Sequence, residues 1–192
     1  KFARNGELAV IISDETMTVV DLTEAIPDPQ IYDLDSDPEA PRFAAEVEVE
    51  PTGEYAYVRY QSENQIQVID LDTGELQWLF AGMDPTDLDL APDGDELMVV
   101  SRTSRELRVF DAVDPFDGPR LLDLPASETI GSLAMAPFGD MALLYTTAQL
   151  TDRVTVWNRS SDALTVRRLE KPVDQVVMAP DGESALVVHT YE

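Results

Sequence analysis

Asp33, Asp35 and Asp37 occupy every second position in IPDPQIYDLDSDPEAPRF, residues 26–43, which is how a calcium-binding loop opens. Carboxylates at that spacing supply hard oxygen ligands to one divalent ion, so Ca²⁺ is the cofactor these residue types raise. The pattern then requires Gly at the sixth position and Glu at the twelfth, where this chain has Pro38 and Ala44. A solvated acidic loop is the competing reading. Asp111, Asp114 and Asp117, ahead of Gly118, form a second acidic turn. Glu48, Glu50, Asp87 and Asp89 are a further set of carboxylates, the kind of group that does acid–base work or holds a metal when two converge.

His189 is the sole imidazole. It closes an apolar segment at a place where related segments put Ser13, Tyr60, Ser101 and Thr146, which reads as a polar strand end. A Ser-His-Asp triad would have to use it, and the chain has no Gly-x-Ser-x-Gly elbow to present a serine. Cysteine is absent, which excludes thiol nucleophiles, disulfides and Cys-based zinc sites. There is no Gly-x-Gly-x-x-Gly and no P-loop. No catalytic and no cofactor-binding residue is assigned from motifs.

The elements that position these groups follow from a repeat. Glycines at 6, 53, 94, 139 and 182 are separated by 47, 41, 45 and 43 residues. Pro51, Pro92, Pro137 and Pro180 stand two residues before the last four, and Arg4 holds that place in the first copy. An acid follows every one: Glu7, Glu54, Asp95, Asp140 and Glu183. Upstream, apolar residues alternate (Val47 and Val49, Leu88 and Leu90, Leu133 and Met135, Val176 and Met178), as in a half-buried strand. Pro-x-Gly is a turn in which Pro fixes φ and Gly supplies a positive one. The runs that follow, LAVII, YAYV, LMVV, MALLY and ALVV, read as strands covered on both faces. A third strand ends on Asp21, Asp70, Asp111 or Asn158, short polar residues that bond a turning backbone, and a weaker fourth strand follows.

Four antiparallel strands recurring at this period predict an all-β chain, a β-propeller of four-stranded blades. The units fall near 1–43, 44–85, 86–128, 129–172 and 173–192, the first and last incomplete. Trp78 and Trp157 are expected to pack between blades. The chain opens and closes in second strands, so one strand is surplus to a closed four-bladed ring. The expectation is a segment of a larger propeller.

EYAYVRYQSENQIQVIDLDTGE, residues 54–75, resembles the YVTN repeat of seven-bladed propellers found in surface-layer and lactonase-like proteins. AYVRY replaces the usual Tyr-Val-Thr-Asn run, and the third and fourth copies have drifted further. The resemblance implies a seven-bladed total and an extracellular, periplasmic or cell-surface setting. One fold hosts many activities, so function has to come from the site. A non-enzymatic scaffold that binds a protein or cell-surface component is the leading expectation. A lactonase-like hydrolase with a carboxylate and divalent-metal site in the central channel is the alternative.

Charge narrows the partners. Thirty-eight acids face thirteen bases, a net charge of -25, which repels nucleic acid and anionic membranes. The acids are spread along the chain, as in a solvated or salt-adapted surface. Arg102, Arg105 and Arg108 in SRTSRELR make the densest basic patch, with Arg102 and Arg105 placed on a hairpin loop to pair with nearby acids. No apolar run reaches membrane-spanning length, so direct membrane insertion is not expected. Lys1–Glu7 has no apolar leader core, but the chain begins without Met, so a removed leader stays open.

Overall fold

A computed structural model describes residues 1–2, 6–13, 15–34, 42–138 and 140–190. Among the described residues seventeen strands form five antiparallel meanders, each strand bonded to the next in sequence within its sheet. Sheet one holds β1 (Leu8–Ile12), β2 (Thr16–Asp21) and β3 (Gln30–Asp33). Sheet two holds β4 (Ala44–Val49), β5 (Tyr55–Tyr60), β6 (Gln65–Asp70) and β7 (Leu76–Phe80). Sheet three holds β8 (Pro85–Leu90), β9 (Glu96–Ser101), β10 (Glu106–Asp111) and β11 (Arg120–Asp123). Sheet four holds β12 (Ser132–Met135), β13 (Met141–Tyr145), β14 (Arg153–Asn158) and β15 (Ala163–Arg168), and sheet five β16 (Val173–Met178) and β17 (Ala185–His189).

In sheet one β1, at the place of a second blade strand, touches β4, and from there the first strands of successive sheets touch in the order β4, β8, β12, β16. The sheets therefore stack face to face as blades about one side, a partial β-propeller, as the repeat predicts. Phe2 forms an isolated antiparallel bridge with Ala9. Among the described residues the first and last sheets share no strand pairing, and the five blades form an open arc.

Three buried clusters fill the first three gaps between blades. Val10, Met17 and Val19 of sheet one meet Val47, Val49, Ala56 and Val58 of sheet two. Tyr57, Ile66 and Val68 meet Leu88, Leu97 and Val99 across the next gap. Met98, Val100 and Val109 meet Leu133, Ala142, Leu144 and the fully buried Trp157 across the third. Trp78 is half-buried against the first cluster, 5.6 Å from the Tyr60 ring.

The turns explain the repeated residues. Gly53, Gly94 and Gly182 have φ of 80°, 82° and 70°, the left-handed region that Pro-x-Gly anticipates. They also pack against the preceding blade. A Cβ on Gly94 would run into the Pro51 ring, and one on Gly53 would lie 2.9 Å from Leu8 Cδ1. Sheet one has no proline at that place, so Leu8 fills the gap. The outer turns are held by the short polar residues. Asp70 Oδ1 accepts from the Asp72 and Thr73 N–H groups at 3.0 and 2.8 Å, and Asp111 and Asn158 do the same for their own turns.

Burial of the second strands on both faces is found in sheets two and three, is partial in sheet four and fails in the first and last sheets. Residues 56–58 of β5 and 97–101 of β9 are buried throughout, whereas Ile11 of β1 and Leu186 and Val188 of β17 are exposed. The physical reason is positional, because among the described residues one face of each end sheet meets no other sheet.

Candidate functional site

The carboxylates singled out on β4 and β8 gather along the inner strands, and the structure adds Glu46. Glu46 and Asp87 both stand seven residues before a turn glycine. Glu46 Oε2 accepts from the Leu88 N–H of the next blade at 3.0 Å and from Arg59 Nε at 3.1 Å. Asp87 Oδ2 accepts from the Leu133 N–H at 2.5 Å, the corresponding group one blade further on. Sheet four has only Ser132 at that place, too short to reach across. There Tyr145 stands opposite Ser132 in the sheet, and burial pushes its hydroxyl above the usual range, with the nearby Val176 backbone opposing the shift. Side chains at equivalent positions thus bridge two successive gaps, between sheets two and three and between sheets three and four.

Glu48 pairs with the Lys1 ammonium group. Glu50 binds its own turn, accepting from Thr52 N at 2.9 Å and Glu54 N at 3.3 Å. Asp89 Oδ1 accepts from Leu90 N at 3.0 Å. Burial governs the electrostatics here. Removal from water pushes the Glu48 carboxyl up to about 7 against the pull of Lys1. Asp87 also rises to about 7, from burial first and then the Glu46 charge, and Asp89 to about 6, from burial opposed by Lys1. Such groups exchange protons near neutrality, yet their oxygens are occupied in holding strands, turns and blades together. Among the described residues no three His, Asp or Glu side chains are grouped to hold a metal ion.

Asp33 ends β3, exposed, beside an open groove of about 500 Å³ that Asp72 and Thr73 also line. Asp35 and Asp37 lie outside the described residues, so the rest of the Ca²⁺ triplet has no geometry here. His189 Nδ1 lies 3.0 Å from the Pro172 carbonyl oxygen, and the Ser101 hydroxyl at the equivalent place donates to the Ala81 carbonyl. Both serve as polar strand ends. Arg102 and Arg105 lie in the β9–β10 turn, with Arg102 Nη1 4.0 Å from Asp84. Arg108 lies within β10, bonded to Glu106 at 2.7 Å, its guanidinium 4.9 Å from the Phe80 ring centre. Asp111 holds a turn rather than an open acidic site. No helix among the described residues is long and apolar enough to cross a membrane.

Sequence reasoning missed Glu46, Arg59 and the amine of Lys1. The signal for Glu46 was its shared offset with Asp87, since the repeat had been aligned on its apolar positions and not on its acids.

No protein-family model matches the sequence, and no curated protein matches it. Solved structures do. Hydrazine synthase from Kuenenia stuttgartiensis is similar over 98% of this chain and 54% of its own, at 17% identity and a TM-score of 0.72. The β-propeller domain of Myceliophteria thermophila Cps50 (Swd1) is similar over 92% of this chain and 60% of its own, at 18% identity and a TM-score of 0.66. The chain spans about half the length of one and three fifths of the other, and at these identities the likeness is one of fold.

Proposed function

We propose that this chain is a non-enzymatic propeller scaffold whose loops bind a protein or cell-surface component. The observation that carries the reading is the use of the inner-strand carboxylates. Glu46, Asp87, Glu48 and Glu50 each accept from, or pair with, a group that holds the frame. A hydrolase needs those oxygens turned toward a substrate or a metal. Loops on rigid blades, by contrast, suit recognition. The high negative charge favours a basic partner over nucleic acid. The YVTN-like repeat supports an extracellular or envelope setting.

Two measurements test this. Hydrolysis of a panel of lactones, assayed with and without Ca²⁺ or Mg²⁺, should stay at the buffer rate; turnover lost in Asp87→Asn would establish the lactonase-like reading instead. Fractionation of source cells should recover the protein in the envelope or medium, and recovery wholly from the cell interior would overturn that setting.

A further inference from the structure

Asn158 closes β14 and is followed by Arg159 and Ser160, the spacing Asn-x-Ser with a residue other than proline between. That triplet is what an N-linked glycosyltransferase requires of its acceptor: an amide nitrogen to receive the sugar, and a hydroxyl two residues on. The chain has two further asparagines, Asn5 and Asn64, which are followed at that distance by Glu7 and Ile66. Asn158 alone meets the pattern.

The repeat shows that the turn itself does not call for an amide. Asp21, Asp70 and Asp111 stand at the equivalent place and hold their turns with a carboxylate oxygen. Asp21 also has a hydroxyl two residues on, and Thr23 Oγ1 donates to its Oδ1 at 2.6 Å. Asn158 does the same work with its oxygen alone. Its Oδ1 accepts from Ser160 Oγ at 3.0 Å and from Ser161 N at 2.9 Å. Its Nδ2 donates to Met141 Sδ at 3.3 Å, a weak acceptor on an exposed side chain. A sugar on Nδ2 therefore leaves in place the bonds that hold the turn.

Access is the second requirement. Ser160 and Ser161 are exposed in the turn that joins β14 to β15. This exposure belongs to the turn and not to the sheet's place in the chain. Sheets two and three have blades on both sides, yet Asp72 and Val113, at the place of Ser160, are exposed as well. Arg159 bonds Glu96 and Asp93 of sheet three, which fixes the turn and leaves the serines in solvent.

We propose that Asn158 is an N-glycosylation site. The inference rests on the extracellular or envelope setting proposed above, because N-linked sugars belong to surface turns of exported proteins. The co-reactant is a sugar carried on a lipid phosphate. Nδ2 attacks the anomeric carbon, and the bond from that carbon to the phosphate oxygen breaks. The phosphate leaves with the electron pair, and one amide proton passes to a base of the transferase.

The test is mass spectrometry of the protein purified from the envelope or medium of its source cells. Peptides that contain Asn158 should carry the mass of a sugar on that residue. Asn158→Asp keeps the turn-holding oxygen that the other blades use, so it should give the wild-type circular dichroism and no sugar. Ser160→Ala should lose the sugar with Asn158 still present, and Ser160→Thr should keep it, which separates enzymatic transfer from chemical glycation. Should Asn158→Asp misfold, the two Ser160 variants make the same comparison. Unmodified Asn158 throughout envelope or medium material would overturn the site and leave the proposed setting standing. A sugar that persists in Ser160→Ala would overturn it too. Recovery wholly from the cell interior would remove the setting and the site together.

Discussion

Glu48, Asp87 and Asp89 show what burial does to a carboxyl that has structural work. Their folded-state values of about 7, 7 and 6 lie above those of a free carboxyl. The folded chain therefore binds more protons than the unfolded chain between about pH 4 and 7, and stability falls as pH rises through that window. Denaturant midpoints should be higher at pH 5 than at pH 8. Asp87→Asn keeps an acceptor for the Leu133 N–H but no longer ionises, so it should flatten this dependence by about 1–3 kcal/mol. An unchanged pH profile in Asp87→Asn would show that this group does not titrate in the window. Asp87 was legible as an inner-strand acid, but its role depended on a backbone group 46 residues away.

At the scale of the element, the Pro-x-Gly turn has two functions that mutation separates. Gly94→Ala meets both a positive φ and the Pro51 ring, whereas Gly74→Ala meets a positive φ of 74° with nothing within 4 Å. Gly74→Ala should cost about 1 kcal/mol, and Gly94→Ala several times that. Adding Pro51→Ala to Gly94→Ala should recover part of the loss, and equal losses at the two glycines would remove the packing role. The turn was readable from Pro and Gly, because φ preferences are local. The contact between one blade's proline and the next blade's glycine was not, because it joins residues about one repeat apart.

For the whole molecule, most of the bases among the described residues are committed to ion pairs. Arg159 bonds Glu96 at 2.5 Å and Asp93 at 2.6 Å, and Arg120 bonds Glu96 at 2.7 Å and also pairs with Asp162, tying sheets three and four at their turns. These pairs are partly exposed and each contributes about 0–1 kcal/mol, less in salt. Repulsion among the remaining acids acts over the entire surface and is screened by the same salt. The second effect should win, so the unfolding temperature should rise between 0.1 M and 2 M NaCl. A fall would mean that the ion pairs dominate.

The sequence by itself determined the all-β repeat, its turns and its strands, because alternation, Pro-x-Gly and the turn-holding Asp residues act over a few neighbours. It also excluded thiol and Cys-zinc chemistry by composition. Only the tertiary structure decided which carboxylates bind the neighbouring blade and which apolar residues meet across each gap. Both depend on stacking between sheets, where a residue meets partners that its own stretch of chain does not specify.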